Sequence, residues 1–428
     1  LDVSRVVLPG VENIKLPRMA KIRQKIPRDD ISSVSQVVRE EIRRLRAKDK
    51  ISKGKKIAIT AGSRGIDRIA EVIKAVVDEV KFLGGEPFIV PAMGSHGGGE
   101  AQTQKEILAG YGITEQSVGA PVISSMEVVK LGETEKGIPI YIDKNAFSAD
   151  GIIVVNRVKV HTDFAGKVES GLMKMMVIGL GKHEGASAIH ELGFERFREV
   201  IPKVGAEILR KAPILFGIAL VENAYHRLCK IQAVEPEDFY KVEKELLEEY
   251  KRKAPQIPFT SVDILVVDEI GKDISGSGMD TNVIGRAKGI DRDIKIIIAL
   301  DLTEKTHGNA CGIGFADLTT RKLFDKIDFN ATYTNILTSG TLKGGFLPIV
   351  LENDEQAIKA AMKLVKKNEK EVRLVRIKNT LEIIEMEVSE KLFYEASCNP
   401  DIEITGELKA MKTDKRGNLL AYPYIDNI

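Results

Sequence analysis

The chain has 428 residues, of which 29% are charged, and its 64 lysines and arginines against 62 aspartates and glutamates leave a net charge of +2. That balance argues against a dedicated nucleic-acid or membrane-surface binder, which needs a visible excess of cations. No run approaches the roughly eighteen apolar residues needed to cross a bilayer, and no secretory leader is visible. The scattered cysteines Cys229, Cys311 and Cys398 form no CxxC pair. They argue for a reducing, cytoplasmic setting without structural zinc.

A chain of this length exceeds what one core usually supports, so two domains are expected. Residues 1–28 read as irregular apart from a strand-like start, and an amphipathic helix is expected over 33–47. Residues 55–99 then read strand, loop, helix, strand, loop, which is a βαβ unit with a parallel sheet. One loop holds Gly62, Ser63, Arg64 and Gly65; the other holds Gly94, Ser95, His96 and three further glycines. Both follow strands and so open on the same sheet edge. A helix over 100–109 and β-structure over 122–144 precede an apolar β-branched strand at 151–157.

That strand delivers Asn156, Arg157, Lys159 and His161 at its carboxyl end, and after a loop Ser170-Gly171 opens an apolar run from 172 to 180 whose one charge is Lys174. Strand ends and helix amides converge in such places, where open α/β folds bind ligands. Helices are expected at 194–211 and 235–253, with a buried strand at 213–221 between them. KAPQIP at 253–258 is the best linker, and a new α/β unit begins at 262. It carries two glycine-rich loops, one containing Met279 to Asn282 and the other His307 and Cys311. The expected class is therefore α/β: a domain over 1–255, a second over 262–428, mainly parallel sheets, and an active-site cleft between the domains.

Each candidate residue has a functional and a structural reading. Lys174 is costly to bury as a cation, although a lysine snorkelling from a core helix fits the same pattern. His96 sits where glycine density permits close approach of a ligand to backbone amides, or simply in a surface turn. His161 stands where a general base or a structural cap would stand. Arg64 suits a carboxylate or phosphate clamp, or a helix-start cation. His183 and His190 are seven residues apart, on one face of a helix, and could share a metal. No GxGxxG opens a helix, and neither a P-loop nor a GxSxG elbow occurs, which weighs against the dehydrogenase, NTPase and hydrolase readings.

Taken together these residues resemble the lactate racemase family, isomerases that use a nickel-pincer nucleotide. The family pattern of a histidine, then SGGRK, then a second histidine sixteen residues beyond the lysine resembles His161, Ser170-Gly171-Leu172-Met173-Lys174 and His190. Its GTH resembles Gly94-Ser95-His96, its SDHTRP resembles residues 60–65, and its D-x-N-x-Y-Q-x-x-K resembles Asp280 to Lys288. The departures are a longer interval between His161 and Lys174, Ala61 for the loop aspartate, Ile284-Gly285 for Tyr-Gln, and SGLMK for SGGRK. They point to a divergent subgroup with the same cofactor chemistry and another substrate.

By this resemblance Lys174 holds the pincer nucleotide through a thioamide, Ser170 and Gly171 help to bind it, and His190 completes a square-planar nickel, a geometry suited to Ni(II) and sulfur donors. The resemblance implies inversion of C2 of a 2-hydroxy acid by hydride transfer to and from the cofactor, with His96 and His161 as alternating bases. Arg64 is then expected on the substrate carboxylate, and Lys288 closes over the site from the second domain. Cofactor-synthesis and insertion enzymes are the implied partners, with no nucleic acid or membrane. Two rivals stay open: a zinc hydrolase built on His183, His190 and His161, and a non-catalytic phosphate- or nucleotide-binding protein.

Overall fold

The structure is a computed structural model and describes residues 9–287 and 292–421. By its contacts the chain forms two units, Arg28–Ala254 and the paired segments Leu1–Pro27 and Pro255–Ile428. The domain expected from residue 1 thus begins at Arg28. The cause is strand β1 (Arg18–Gln24), which lies in the sheet of the other unit, with Ile22 fully buried there opposite Met386. Beside that pair the Arg23 Nε donates to Glu385 Oε1 at 2.8 Å. Opposite charges on facing strands and a buried apolar face stabilise this long-range pairing.

In the Arg28–Ala254 unit the strands are β2 (Lys56–Ala61), β3 (Glu86–Pro91), the hairpin β4 (Val128–Glu133) and β5 (Pro139–Asp143), β6 (Gly151–Arg157), β7 (Ile214–Glu222) and β8 (Leu228–Val234). The main sheet runs β3-β2-β6-β7-β8. Its first four strands are parallel, and β8 returns antiparallel along β7. The first five residues of β6 are buried, as expected of a parallel strand covered on both faces. The helix Ile69–Phe82 covers one face with Val72, Ile73, Val76, Val77 and Val80. The other face is covered by Phe197, Val200, Ile201, Val204 and Ile208 from the helix Phe194–Lys211, together with Phe239, Leu246 and Leu247 from the helix Phe239–Lys253.

The second unit continues with β9 (Ser261–Ile270), β10 (Asp293–Leu302), β11 (Leu318–Thr320), β12 (Ile349–Leu351), β13 (Leu374–Ile377), β14 (Glu385–Ser389), β15 (Ile402–Ile404) and β16 (Lys409–Ala410). Strands β12-β11-β10-β9-β13 are parallel, and β14, β1, β15 and β16 extend the sheet antiparallel. Its two glycine-rich loops pack backbone against backbone. A Cβ at Gly278 would fall 2.0 Å from the Cys311 oxygen, and one at Gly312 only 1.7 Å from the Ser277 oxygen. Both glycines also have positive φ, so no other residue fits either place without moving the facing loop.

Candidate active site

Strand β2 has β3 on one side and β6 on the other, so the loops leaving β2 and β6 part at the carboxyl edge of the sheet. A crevice at such a switch point is where ligands bind in open α/β folds. Here a side chain opens it. Regular pairing of β2 with β6 runs only to Ile59 and Ile153. The buried Thr60 hydroxyl then accepts from the Val155 N–H at 2.9 Å and donates to the Val155 oxygen at 3.3 Å. It takes the place of the partner backbone and wedges the two strand ends apart.

The loops after β2 and β3 are tied together over this edge. Ser63 Oγ lies 2.6 Å from His96 Nδ1, and the Tyr111 hydroxyl donates to the Ser63 oxygen at 2.9 Å. Buried Gln104 donates to the oxygens of Gly94 and His96, 3.0 Å each, and fixes the glycine loop from below. Gly94 (φ +60) lets that loop lie on the next segment, since a Cβ there would meet the Ile178 oxygen at 3.1 Å. His96 and Arg64 are both exposed at the rim.

Beyond β6 the chain makes a compact turn. Lys159 and Ser170 bond each other's backbones in both directions, at 3.0 and 3.1 Å. Buried Glu169 accepts from the N–H of His161 at 2.6 Å and of Gly166 at 3.2 Å, which holds the His161 loop closed. Burial raises the Glu169 carboxyl above its ordinary range. Asn156 donates to the Gly171 oxygen at 2.8 Å, so Ser170-Gly171 is anchored to the strand end. The following run is not one regular helix. A single α-turn, Leu172–Lys174, passes into a π-turn, Met175–Gly179, before the helix Lys182–His190. The wide turn therefore starts directly after Lys174, and such π-turns cluster at functional sites.

Lys174, His161, His190, Arg64, Lys159 and Asp163 lie within electrostatic reach of one another. Burial is the main cause that lowers the Lys174 ammonium to about 8, with Asp163 opposing and Arg64 and Lys159 reinforcing the shift. Burial also holds His161 well below its ordinary value, followed by the charges of Lys174 and Lys159. Its Nδ1 accepts from the Asp163 N–H at 3.1 Å. His190 is lowered first by burial; a hydrogen bond with the Ala186 oxygen opposes this and Lys174 adds to it. Phe194 joins the two rings, with centroids 6.1 Å from His161 and 5.6 Å from His190; Phe164 lies 4.6 Å from His161 and Phe197 5.2 Å from His190.

Sequence-derived candidates outside this group fare differently. His183 lies in the first turn of the helix that His190 ends; both are exposed, but His183 faces the glycine loop, 3.4 Å from where a Gly99 Cβ would stand. Among the described residues no group of three or more His, Cys, Asp and Glu side chains is arranged to hold a metal ion. That leaves the zinc arrangement of His183, His190 and His161 without support. Lys288 lies outside the described residues. Its motif neighbours Asp280 and Asn282 are described, and Asp280 Oδ1 accepts from the Asn282 N–H at 2.9 Å. Immediately before His183, Lys182 is fully buried and pairs with buried Asp143 at 3.1 Å, which fixes the start of the His190 helix to β5.

Residues 8–200 match the lactate racemase N-terminal domain family, and every residue of the Lys174 group falls inside that match. Over these residues the chain carries a lactate racemase N-terminal domain. The lactate racemase apoprotein from Thermoanaerobacterium thermosaccharolyticum shares the fold at a TM-score of 0.56 and 14% identity, over 85% of this chain and 99% of that one. A structural-genomics protein from Thermotoga maritima matches at a TM-score of 0.49 and 15% identity, over 64% of this chain and 72% of that one. Comparison with curated proteins finds no match. In both units the α/β class with mainly parallel strands agrees with the lactate racemase fold.

The cofactor that the resemblance implies would need a lysine able to react as a free amine and a histidine able to bind metal through one nitrogen, and the residues present fit both. Lys174 is depressed towards neutrality, and Nδ1 of His190 is engaged by the Ala186 oxygen. Arg64 and Lys159 add positive charge suited to carboxylate or phosphate. Residue patterns did not single out Asp163, Glu169, the three phenylalanines or Glu243. For Glu243 a signal exists: it shares the buried stripe of its helix with Phe239, Leu246 and Leu247.

Proposed function

We propose that this protein, which carries a lactate racemase N-terminal domain, is an isomerase that racemises or epimerises a 2-hydroxy acid at C2, with a nickel-pincer nucleotide attached to Lys174 and nickel bound by His190. The observation that carries the reading is the pairing, in one electrostatic group, of a lysine lowered to about 8 with a histidine whose Nδ1 is held by a carbonyl. When bound, the group supplies the acceptor for the C2 hydride.

The chain's own residues do the rest. His161, kept from protonation by burial and by neighbouring cations, accepts the proton of the substrate 2-hydroxyl at Nδ1, which gives up the Asp163 N–H to do so. His96 performs the same task for the opposite enantiomer, steadied through Nδ1 by Ser63. Arg64 takes the substrate carboxylate, and Phe164, Phe194 and Phe197 pack against the rings of His161 and His190 and orient them. Partner enzymes that build and insert the cofactor follow from the same reading, as does a cytoplasmic location. Among the described residues no helix is long and apolar enough to cross a membrane.

Intact mass of the protein co-expressed with cofactor-synthesis enzymes tests the proposal. A covalent adduct on wild type that is absent from a folded Lys174→Ala variant is the expected result. An adduct surviving in that variant, or no adduct under conditions that load a lactate racemase, overturns it.

A further inference from the structure

The Ser170-Gly171-Leu172-Met173-Lys174 turn is gripped from a second side by a residue that the lactate racemase resemblance does not mention. Glu243, from the helix Phe239–Lys253, is fully buried and points its carboxyl at the start of the Lys174 turn. Its Oε2 accepts from the Met173 N–H at 2.9 Å, and the Leu172 N–H also faces the carboxyl group. The first N–H groups of a helix have no partner within the helix, and a side-chain oxygen that satisfies them defines where the helix begins.

The approach is close enough to dictate the neighbouring residue. A Cβ on Gly171 would stand 2.3 Å from Glu243 Cδ and 2.4 and 2.6 Å from its two oxygens. The φ of Gly171 is 176°, extended backbone that any residue can adopt, so it is the carboxyl and not the torsion that demands glycine here. On the opposite side the Gly171 oxygen accepts from Asn156 at 2.8 Å and from the Met175 N–H at 3.0 Å. One peptide is thus clamped between a strand-end amide and a buried carboxyl from a helix seventy residues away from Met173.

We infer that Glu243 is a positioning residue for Lys174: its carboxyl caps the turn that carries the lysine and so holds the amine inside the group formed by His161, His190, Arg64, Lys159 and Asp163. The inference rests on Lys174 being the functional lysine, but it concerns the protein before any cofactor is attached. Burial raises the Glu243 carboxyl to about 8, so a neutral acceptor suffices for the cap and glutamine can replace it. The Oε1 atom, buried and without a hydrogen-bond partner, makes leucine a poor substitute only because the N–H groups lose their acceptor.

The test uses the full-length apoprotein, labelled with pyridoxal 5′-phosphate at pH 7.5, reduced with borohydride and mapped by peptide mass. In wild type Lys174 should label on the order of ten-fold faster than surface lysines, because its amine is far less protonated. Glu243→Gln should keep that enhancement, and Glu243→Leu should lose it while far-UV circular dichroism and a cooperative melt show a folded protein. Gly171→Ala, which drives a methyl into the carboxyl, should lose it too and decides the matter if the leucine variant does not fold. Enhancement retained in folded Glu243→Leu or Gly171→Ala, or lost in folded Glu243→Gln, overturns the inference. The labelling comparison stands whether or not co-expression yields an adduct, so failure of the cofactor reading and failure of the capping role are separately visible.

Discussion

Nδ1 of His190 lies 2.6 Å from the carbonyl oxygen of Ala186, one turn earlier in the same helix. A carbonyl can only accept, so Nδ1 carries the proton and the lone pair of the neutral ring is on Nε2. Fixing a histidine's tautomer through its other nitrogen is how proteins prepare a metal ligand. In cofactor-loaded protein, His190→Ala is therefore expected to lose bound nickel while the organic adduct stays on Lys174. Metal-to-protein ratio and intact mass, measured on one sample, check this. Nickel retained at the wild-type ratio removes His190 from the ligand set.

Lys174 itself should destabilise the empty protein at neutral pH. Its amine is lowered from 10.5 to about 8 in the folded chain. Below pH 8 the folded protein bears the full cost of a desolvated ammonium. Between about 8 and 10.5 the folded state binds fewer protons than the unfolded one, so stability rises with pH, and above that window the cost is gone. Lys174→Met is expected to stabilise the apoprotein by on the order of 1–3 kcal/mol at pH 7, with the advantage fading by pH 10. Urea unfolding of both proteins at the two pH values measures it, and a pH-independent difference contradicts the account.

Replacing either His96 or His161 by asparagine should slow isomerisation in both directions, since each direction needs one base and one acid. The loss expected for removing such a group is about 10²–10⁴-fold. Substrate carrying deuterium at C2 should give product that retains it. Solvent hydrogen at C2 would point to an enolate mechanism instead.

Thr60→Val keeps the shape of the wedge between β2 and β6 but removes the hydroxyl that serves the Val155 N–H and oxygen. Leaving those buried groups unpaired should cost about 1–3 kcal/mol. Chemical denaturation gives the number, and a neutral substitution would show that the strand ends separate without the hydroxyl.

Much of the site could be read before any coordinates. The histidine, Ser-Gly, lysine and distant histidine are spaced along one loop and its following helices, and the loop residues Arg64 and His96 follow strands of one βαβ unit. Local pattern suffices for these, because strand periodicity and glycine-rich turns are written in neighbouring residues. The π-turn after Lys174 was not legible, since an apolar run supports an α-turn and a π-turn alike. Nothing in the residue pattern sets Asp163 and Glu169 apart from ordinary loop charges, and only the closed turn brings Glu169 onto the backbone of His161.

The residue order by itself determined the α/β class, the strand-edge placement of the loops and the lysine–histidine spacing that resembles lactate racemase, all consequences of short-range pattern. Tertiary structure alone decided that β1 leaves its sequence neighbours for the other sheet, that Thr60 splits β2 from β6, and that Glu243 meets Gly171. Each of these joins residues tens to hundreds of positions apart. Nothing in local periodicity specifies such a meeting; packing of the apolar faces does, and it brings the polar groups together as it forms.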